Sequence, residues 1–262
     1  MPTVTTPDAD IFYTDSGGEG PVLLLGHGFF MDSSMFTPQL RDLAPDLRVV
    51  TWDARRHGQT TDAGSPFTYW DLARDALAVL DDLGVEKAII GGMSQGGYTA
   101  LRTALLAPER TRALILLDTE ASACTPEQKS GYRVLFDQWC STEPLEPLTS
   151  ALAPQLIGGE PADWTSWISK WNSSDRMAVR PAAECLIERD DVVDRLSDID
   201  VPALIIRGEN DLSAPAEKAD ELKAGLPGAA PVVTIPVAGH AANWTHPEPV
   251  NAAITAFVKT LG

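Results

Sequence analysis

The sequence predicts an α/β fold built on a mostly parallel sheet with helices on both faces. Strand-like apolar runs alternate with helical segments along the chain, which is typical of βαβ crossovers between parallel strands. The runs are almost continuously apolar, as at 22–25, and strands buried on both faces have this pattern. A chain of 262 residues, 44% of them hydrophobic, can form one large domain of this class.

Six apolar runs are the predicted parallel strands. They lie near residues 22–27, 49–53, 88–93, 113–118, 203–208 and 232–237. A segment around 9–14, which precedes two glycines, is expected to add an antiparallel hairpin at one edge of the sheet. About 80 residues without a convincing strand separate the fourth run from the fifth, and helical patterns broken by prolines fill them. This stretch predicts a helical insertion.

The segment most informative about function is 92–96, with the sequence Gly-Met-Ser-Gln-Gly. It follows the strand-like run 88–91 and precedes the helical run 97–106. A serine on a sharp strand-to-helix turn projects its hydroxyl above the sheet edge, and the flanking glycines allow that turn. The helix N-terminus also supplies free N–H groups and partial positive charge where an oxyanion would form. The pattern therefore predicts that Ser94 is a nucleophile.

A serine nucleophile needs a base, and the base needs an acid that orients it. Of the four histidines, His240 follows the strand-like run 232–235, in a loop at the edge of the predicted sheet from which it can reach Ser94. Asp211 ends the segment 203–211, which has the pattern of a buried strand followed by a glycine turn and a carboxylate. We therefore predict a catalytic triad of Ser94, Asp211 and His240.

Other side chains compete for these roles. Asp118 and Glu120 also follow a strand-like run, and either could supply the acid instead. Glu209 is close to the predicted acid, but its side chain is expected to point elsewhere on an extended segment. His246 is expected to be a surface or loop histidine. His57 lies in an arginine-rich turn, where a structural or exposed position is expected.

A further requirement is a site for the oxyanion of a tetrahedral intermediate. The run 22–30 is a strand that leads into a His-Gly turn. The backbone N–H of Phe29 is well placed to donate a hydrogen bond there, and the N–H of Gln95 is the second donor. His27, in the same turn, is a rival candidate for the base.

Together these segments resemble the α/β-hydrolase superfamily. The likeness extends from about residue 10 to 260 and rests on four landmarks in the family's order. They are His27-Gly28, the turn around Ser94, Gly208-x-x-Asp211 and Gly239-His240. Within the superfamily the chain is similar to the branch of small esterases, enol-lactonases and C–C hydrolases. The resemblance implies a sheet of the eight-stranded type, and a histidine at position 27 that holds its loop without a catalytic duty.

Two comparisons with the family pattern refine this interpretation. Haloalkane dehalogenases and epoxide hydrolases carry an aspartate where this chain has Ser94, which argues against both activities. The family commonly has Asp-x-Arg-Gly-x-Gly-x-Ser after the second long strand, whereas this chain has Asp-Ala-Arg-Arg-His-Gly-Gln-Thr at 53–60. Arg56 thus replaces the first glycine. We expect a solvent-exposed arginine, and the alternatives are an altered turn or a positive charge near the pocket.

The resemblance also implies that residues 120–202 form a helical cap over the active site, with 1–119 and 203–262 as the core. Tryptophans at 164, 167 and 171 are spaced by three and four residues, so they share one face of a helix. That face either fixes the cap to the core or lines an apolar pocket for an acyl or aryl group. The pocket residues predicted from the sequence are Phe29, Phe30, Met93, Trp139, Trp164 and Trp167.

The resemblance implies a small-molecule substrate, and composition disfavours other classes of partner. A net charge of −17 disfavours nucleic acids and anionic membrane surfaces, because phosphates would be repelled. No secretory signal is visible, and no stretch approaches the roughly 18 apolar residues of a membrane helix. Three cysteines without metal-ligand spacing are expected to be free thiols in a cytoplasmic protein. We expect no cofactor and no metal, and both a monomer and a homodimer remain open.

The sequence thus predicts a serine hydrolase that cleaves a carboxylic ester or lactone of a small, partly apolar substrate through an acyl-enzyme. Three alternatives use the same scaffold. They are a C–C bond hydrolase, a perhydrolase or cofactor-independent oxygenase, and a slowly hydrolysing ligand sensor. Esters, lactones, enol-lactones and vinylogous diketones all suit the same triad, because fold analogy carries no substrate information.

Overall fold

A computed structural model of the protein describes residues 2–262. Nine strands of this part of the chain form one sheet. The strands are β1 (Thr3–Thr5), β2 (Ala9–Asp15), β3 (Val22–Gly26), β4 (Arg48–Trp52), β5 (Thr61–Asp62), β6 (Ala88–Met93), β7 (Thr111–Leu117), β8 (Ala203–Gly208) and β9 (Val233–Ile235). The helices are α1 (Thr37–Leu43), α2 (Tyr69–Asp82), α3 (Gln95–Leu106), α4 (Pro126–Trp139), α5 (Glu146–Leu156), α6 (Pro161–Ser173), α7 (Arg180–Ile187), α8 (Ala216–Gly225), α9 (Ala242–Thr245) and α10 (Pro247–Val258).

The sheet has the strand order β1-β2-β4-β3-β6-β7-β8-β9, and β5 pairs with β2. All neighbours from β4 to β9 run parallel, whereas β1, β2 and β5 pair antiparallel at one edge. The prediction of a mostly parallel α/β sheet is therefore confirmed. Each of the six predicted parallel strands forms, and so does the antiparallel edge around 9–14.

The hydrophobic core is formed around the central strands. Along β3, β6, β7 and β8 nearly every residue is buried, which matches their continuous apolar runs and coverage on both faces. Helix α2 packs against α3, and α1 packs against α10. Because the strands from β4 to β9 run parallel, their carboxyl ends lie at a single edge of the sheet.

Helix α3 approaches β3 and β6 with almost no side chains between the backbones. A Cβ atom placed on Gly96 would lie 1.9 Å from the carbonyl oxygen of Gly26, and one on Gly92 would lie 2.4 Å from the Gly96 carbonyl carbon. Only glycine fits at such distances. The glycines around residue 94 are therefore required by packing as well as by the turn.

The stretch between β7 and β8 contains α4 to α7 and a 3₁₀-helix (Val193–Asp198), and no strand is described there. We call residues 120–202 the insertion. Its division from the rest of the chain as a cap stays a prediction. In residues 2–262, no helix combines the length and the apolar character that crossing a membrane requires.

Candidate functional site

Ser94 lies between the last residue of β6 and the first of α3, in a strained backbone conformation. Its φ is 51° and its ψ is −113°, a region that non-glycine residues rarely occupy and that costs about 1–3 kcal/mol. The turn is held because Ser94 N–H donates to the Leu117 carbonyl at 2.9 Å, and its carbonyl accepts from the Thr119 hydroxyl at 2.7 Å. The side chain is buried, at 8% exposed. Strain of this kind is common where function demands a fixed side chain.

Asp211 and His240 form a buried pair at the ends of β8 and β9. The His240 Nδ1 atom lies 2.9 Å from each carboxylate oxygen of Asp211. Asp211 is itself fixed, since its Oδ1 accepts from the amides of Ser213 at 2.8 Å and Ala214 at 3.0 Å. Burial lowers the pKa of His240, but the charge and hydrogen bond of Asp211 outweigh it and raise the net pKa above the ordinary value. Asp211 thus favours the imidazolium form of His240.

The three predicted triad residues reach the same edge of the sheet, but only two are joined by a hydrogen bond. Within residues 2–262, both side-chain hydrogen bonds of His240 go to Asp211, and no bond within 3.5 Å joins Ser94 Oγ to His240. In ligand-free enzymes, catalytic hydrogen bonds are often long and tighten only with substrate. The arrangement leaves the Nε2 edge of His240 available for a hydroxyl proton.

The two predicted oxyanion donors share one property. Among the described residues, neither the N–H of Phe29 nor the N–H of Gln95 donates to a protein acceptor. Gln95 is the first residue of α3, where N–H groups have no partner within the helix. Both amides are therefore free to bind an anionic oxygen.

The Phe29 amide belongs to a loop, residues 27–31, which we call the His-Gly loop. His27 Nε2 accepts from the Ala54 N–H at 2.9 Å, so its proton lies on Nδ1 and is donated to the Gly28 carbonyl at 2.8 Å. Since that carbonyl and the Phe29 N–H belong to one peptide plane, His27 sets the direction of the N–H. Burial lowers the pKa of His27. Because both its nitrogens are occupied, His27 holds the loop and is not free to act as a base.

His57 also supports this loop. Its Nδ1 bonds the Arg55 carbonyl at 2.9 Å, and its Nε2 accepts from the Phe30 N–H at 3.4 Å. Burial, together with the neighbouring His27, lowers the pKa of His57 to about 3, so the ring stays a neutral acceptor at ordinary pH. His57 is buried, which matches the structural one of its two predicted positions.

Aromatic rings from the insertion cover the His-Gly loop. The ring of Phe30 stacks on Trp139 of α4 with centroids 4.0 Å apart, and Phe136 of the same helix lies 5.3 Å from Phe29. Trp171 of α6 donates its Nε1–H to the Phe30 carbonyl at 2.6 Å. Phe30, Trp139 and Trp171 line a cavity of about 980 Å³ that does not reach Ser94, Asp211 or His240.

The other predicted pocket residues occupy different surroundings. Met93 is buried, with its sulfur 2.5 Å from the point where a Cβ of Gly28 would lie. Trp164 donates to the Gly158 carbonyl at 2.5 Å, and Trp167 packs edge-on against Trp244 with centroids 5.7 Å apart. Neither of these two tryptophans lines the 980 Å³ cavity. They hold α6 in place, while Trp171, which belongs to the same predicted helix face but was not named among the pocket residues, reaches the loop.

The rival acids have other partners. The Asp118 carboxylate accepts from the amides of Gly208 at 2.6 Å and Ala242 at 3.3 Å, so it connects the end of β7 to the end of β8 and the start of α9, close to the predicted acid and base. Burial and the nearby Asp211 charge raise the pKa of Asp118 well above its usual range. Glu120 pairs with Arg189 at 2.5 Å. Neither carboxylate hydrogen-bonds His240 in the described chain.

The expectation of a solvent-exposed Arg56 is wrong. Its side chain is 21% exposed, and its Nε donates to the Ala178 carbonyl of the insertion at 2.7 Å. Asp62 pairs with the guanidinium at 3.2 Å. The backbone at Arg56 has a φ of 66°, so the turn keeps a left-handed conformation even though a side chain replaces the family's glycine. The departure from the family pattern serves a contact between core and insertion.

The described chain contains neither a cluster of metal-ligand side chains nor a disulfide bond. In residues 2–262 no three His, Cys, Asp or Glu side chains converge as metal ligands would. Cys124, Cys140 and Cys185 are free thiols.

A mostly parallel sheet with a strained serine after one strand, and an aspartate and a histidine after later strands, defines the α/β-hydrolase class of enzymes. The chain belongs to the alpha/beta hydrolase fold family, whose model matches residues 21–247.

Two relatives of this chain are named as a hydrolase and an esterase that act on different substrates. It is 26% identical to a putative carbamate hydrolase, RutD, of Azorhizobium caulinodans, with 98% of each chain covered. It is 27% identical to a pimeloyl-[acyl-carrier protein] methyl ester esterase of Nitrosomonas europaea, over 90% of this chain and 95% of the relative.

Solved structures give the same fold over the whole length. A thermophilic esterase from Thermogutta terrifontis has a TM-score of 0.90 and 28% identity, covering 99% of this chain and 98% of the other. The enol-lactonase from Burkholderia xenovorans has a TM-score of 0.88 and 26% identity, covering 98% and 100%. The protein is therefore an enzyme of the α/β-hydrolase fold.

Proposed function

We propose that the protein is a serine hydrolase that cleaves carboxylic esters or lactones through an acyl-enzyme on Ser94. The observation that carries this proposal is the buried Asp211–His240 pair, which lies at the sheet edge that presents Ser94 on its strained turn. The two unengaged amides of Phe29 and Gln95 support it, because acyl transfer needs donors for a developing oxyanion.

In this mechanism His240 accepts the hydroxyl proton as Ser94 Oγ bonds to the substrate carbonyl carbon. The resulting oxyanion is bound by the Phe29 and Gln95 amides. His240 then gives the proton to the leaving alkoxide as the ester C–O bond breaks, and an ester bond to Ser94 remains. Water, deprotonated by His240, adds to that ester, and Ser94 leaves with the proton. Asp211 keeps His240 in the required tautomer and stabilises its charged form.

The substrate class rests on the surroundings of Ser94 and on the relatives. Phe29 and Phe30 provide apolar surface next to the predicted oxyanion site, which suits a partly apolar acyl or alcohol group. Esterase and enol-lactonase activities in the names of similar proteins favour a carboxylic ester or lactone over other bonds. We further propose that the insertion, residues 120–202, is a cap whose α4 and α6 close over the His-Gly loop.

The test is steady-state and burst hydrolysis of p-nitrophenyl esters from acetyl to dodecanoyl, together with a lactone panel and a p-nitrophenyl carbamate. Ser94→Ala is the control, since it removes the nucleophile from a turn that alanine can occupy at similar cost. Turnover that Ser94→Ala abolishes would support the proposal, and the best chain length would give the size of the pocket.

Three results would contradict the proposal. Turnover that survives Ser94→Ala would mean that another group attacks the substrate. A burst of about one equivalent without further turnover would favour a ligand sensor instead. Peracid or an oxygenated product in mass analysis would point to a perhydrolase or oxygenase.

A further inference from the structure

Phe30 is held in a conformation that it would not adopt unaided. Its φ is 65°, in the left-handed region that a bulky aromatic residue rarely enters. Such strain persists only when surrounding contacts fix it. Phe30 directly follows Phe29, whose amide is the proposed oxyanion donor, so relaxation at residue 30 would tilt that amide.

Both polar ends of Phe30 are engaged. Its N–H donates to His57 Nε2 at 3.4 Å, and its carbonyl accepts from Trp171 Nε1 at 2.6 Å. The first contact comes from the core and is long for a hydrogen bond, whereas the second is short. Among the hydrogen bonds described for residues 27–31, the one from Trp171 is the only bond that comes from the insertion.

Trp171 is placed rigidly enough to impose this geometry. It is 3% exposed, and its ring packs on Trp139 with centroids 6.3 Å apart and on Phe30 at 6.2 Å. On the same helix, Lys170 bonds Asp32 at 2.7 Å, just beyond the His-Gly loop. Two successive residues of α6 thus attach the helix to the loop and to the residue that follows the loop.

We infer that Trp171 is a positioning residue: its indole N–H holds the strained Phe30 peptide and thereby aims the Phe29 amide at the oxyanion. The inference rests on the proposed function. It also links the insertion to catalysis, because the oxyanion site is complete only while α6 lies against the loop. Trp171 touches no reacting atom, so its effect should appear in the transition state and not in substrate binding.

The experiment compares Trp171→Phe with Trp244→Phe in the full-length protein. Trp244 also donates an indole hydrogen bond between core and insertion, to the Asp163 carbonyl at 3.0 Å, but no hydrogen bond or ring contact with the His-Gly loop is described for it. We expect Trp171→Phe to lower kcat about tenfold with KM within twofold, as for one lost hydrogen bond. Trp244→Phe should change kcat less than twofold.

A transition-state analogue provides the readout that a purely structural role would not change. A trifluoromethyl ketone matched to the best ester forms an adduct on Ser94 that carries an oxyanion. Its affinity should weaken in Trp171→Phe by the same factor as kcat/KM, while the product carboxylic acid binds as before. If Trp171→Phe does not fold, 3-benzothienylalanine at position 171 replaces the N–H by sulfur and keeps the ring shape.

Three outcomes would overturn the inference. Equal losses in Trp171→Phe and Trp244→Phe would mean that any bond between core and insertion has the same effect. A change confined to KM would make Trp171 a substrate contact. Unchanged analogue affinity would separate Trp171 from the oxyanion site. These results differ from failure of the proposed function, in which the unaltered protein shows no Ser94-dependent turnover and both proposals fall.

Discussion

The contacts of the ion pair between Glu120 and Arg189 predict how much free energy of unfolding is lost when either side chain is removed. They also predict that the two losses differ. The two side chains are 4% and 1% exposed and lie 2.5 Å apart. Arg189 also donates to the Ser122 carbonyl at 3.0 Å and lies over the Tyr98 ring at 4.8 Å. The pair therefore joins the first residue of the insertion, just after β7, to its last part. In the described chain Glu120 is the one carboxylate within salt-bridge distance of Arg189, whereas Glu120 also pairs with Lys218.

Glu120→Ala leaves the Arg189 guanidinium buried without a carboxylate, which should cost about 3–5 kcal/mol of unfolding free energy. Arg189→Met should cost less, about 1–3 kcal/mol, because Glu120 keeps Lys218 at 3.1 Å and the Ser122 hydroxyl at 2.9 Å. The double variant should be more stable than Glu120→Ala, since no unpaired charge stays buried.

Urea unfolding followed by tryptophan fluorescence measures all three variants against the unaltered protein. Equal slopes with denaturant concentration would show that the midpoints report stability alone. A cost below about 1 kcal/mol for Glu120→Ala would refute the reasoning, since Arg189 would then be solvated. A larger cost for Arg189→Met than for Glu120→Ala would refute the role given to Lys218.

Three further changes test the site and the packing beneath it. In ester assays Asp211→Asn should lower kcat by roughly 10⁴-fold with little change in KM, because the His240 imidazole is no longer held in the required tautomer. Residual activity above a tenth of that of the unaltered protein would contradict this prediction. With an uncharged ester, kcat/KM should fall as the pH drops, with a midpoint above about 6.5. Protonated His240 cannot accept a proton, and Asp211 raises the pKa of His240 above the ordinary value. A midpoint below pH 6 would contradict this prediction. Gly96→Ala should lower the free energy of unfolding by at least about 3 kcal/mol, because its Cβ would meet a carbonyl of β3. Gly131→Ala, which has open space in α4, should raise that free energy by about 0.5–1 kcal/mol, and thermal unfolding measures both variants.

The parts of the fold that local pattern controls were predictable from the sequence. Continuous apolar runs marked the parallel strands, since burial on both faces demands them, and the glycines around Ser94 marked the turn. The carboxyl ends of parallel strands share an edge, so the sequence pattern predicts that Asp211 and His240 lie close together. In the structure His240 Nδ1 lies 2.9 Å from the Asp211 carboxylate, and the catalytic role of the two side chains stays a prediction.

Long-range contacts were not predictable in the same way. The exposed position expected for Arg56 was wrong because its acceptor, the Ala178 carbonyl, is a backbone atom 122 residues away. Arg189 carries no sequence signal for its partner Glu120. The spacing of Trp171 from Trp167 predicted that the two side chains share a face of a helix. Periodicity does not predict which part of the protein that face packs against. Tertiary packing sets the orientation of the helices in the insertion, and this packing depends on residues throughout the chain.

The position of the insertion also affects how the chain folds during synthesis. Strands β7 and β8 are hydrogen-bonded neighbours, with Leu114 opposite Ala203, yet the whole insertion is translated between them. At ribosomal speed the edge of β7 stays unpaired for roughly 4–17 s after it emerges. An uncovered apolar strand edge is a template for association with other chains. Chaperone binding to nascent chains should therefore peak while 120–202 is being made, and slow codons there should lower the soluble yield.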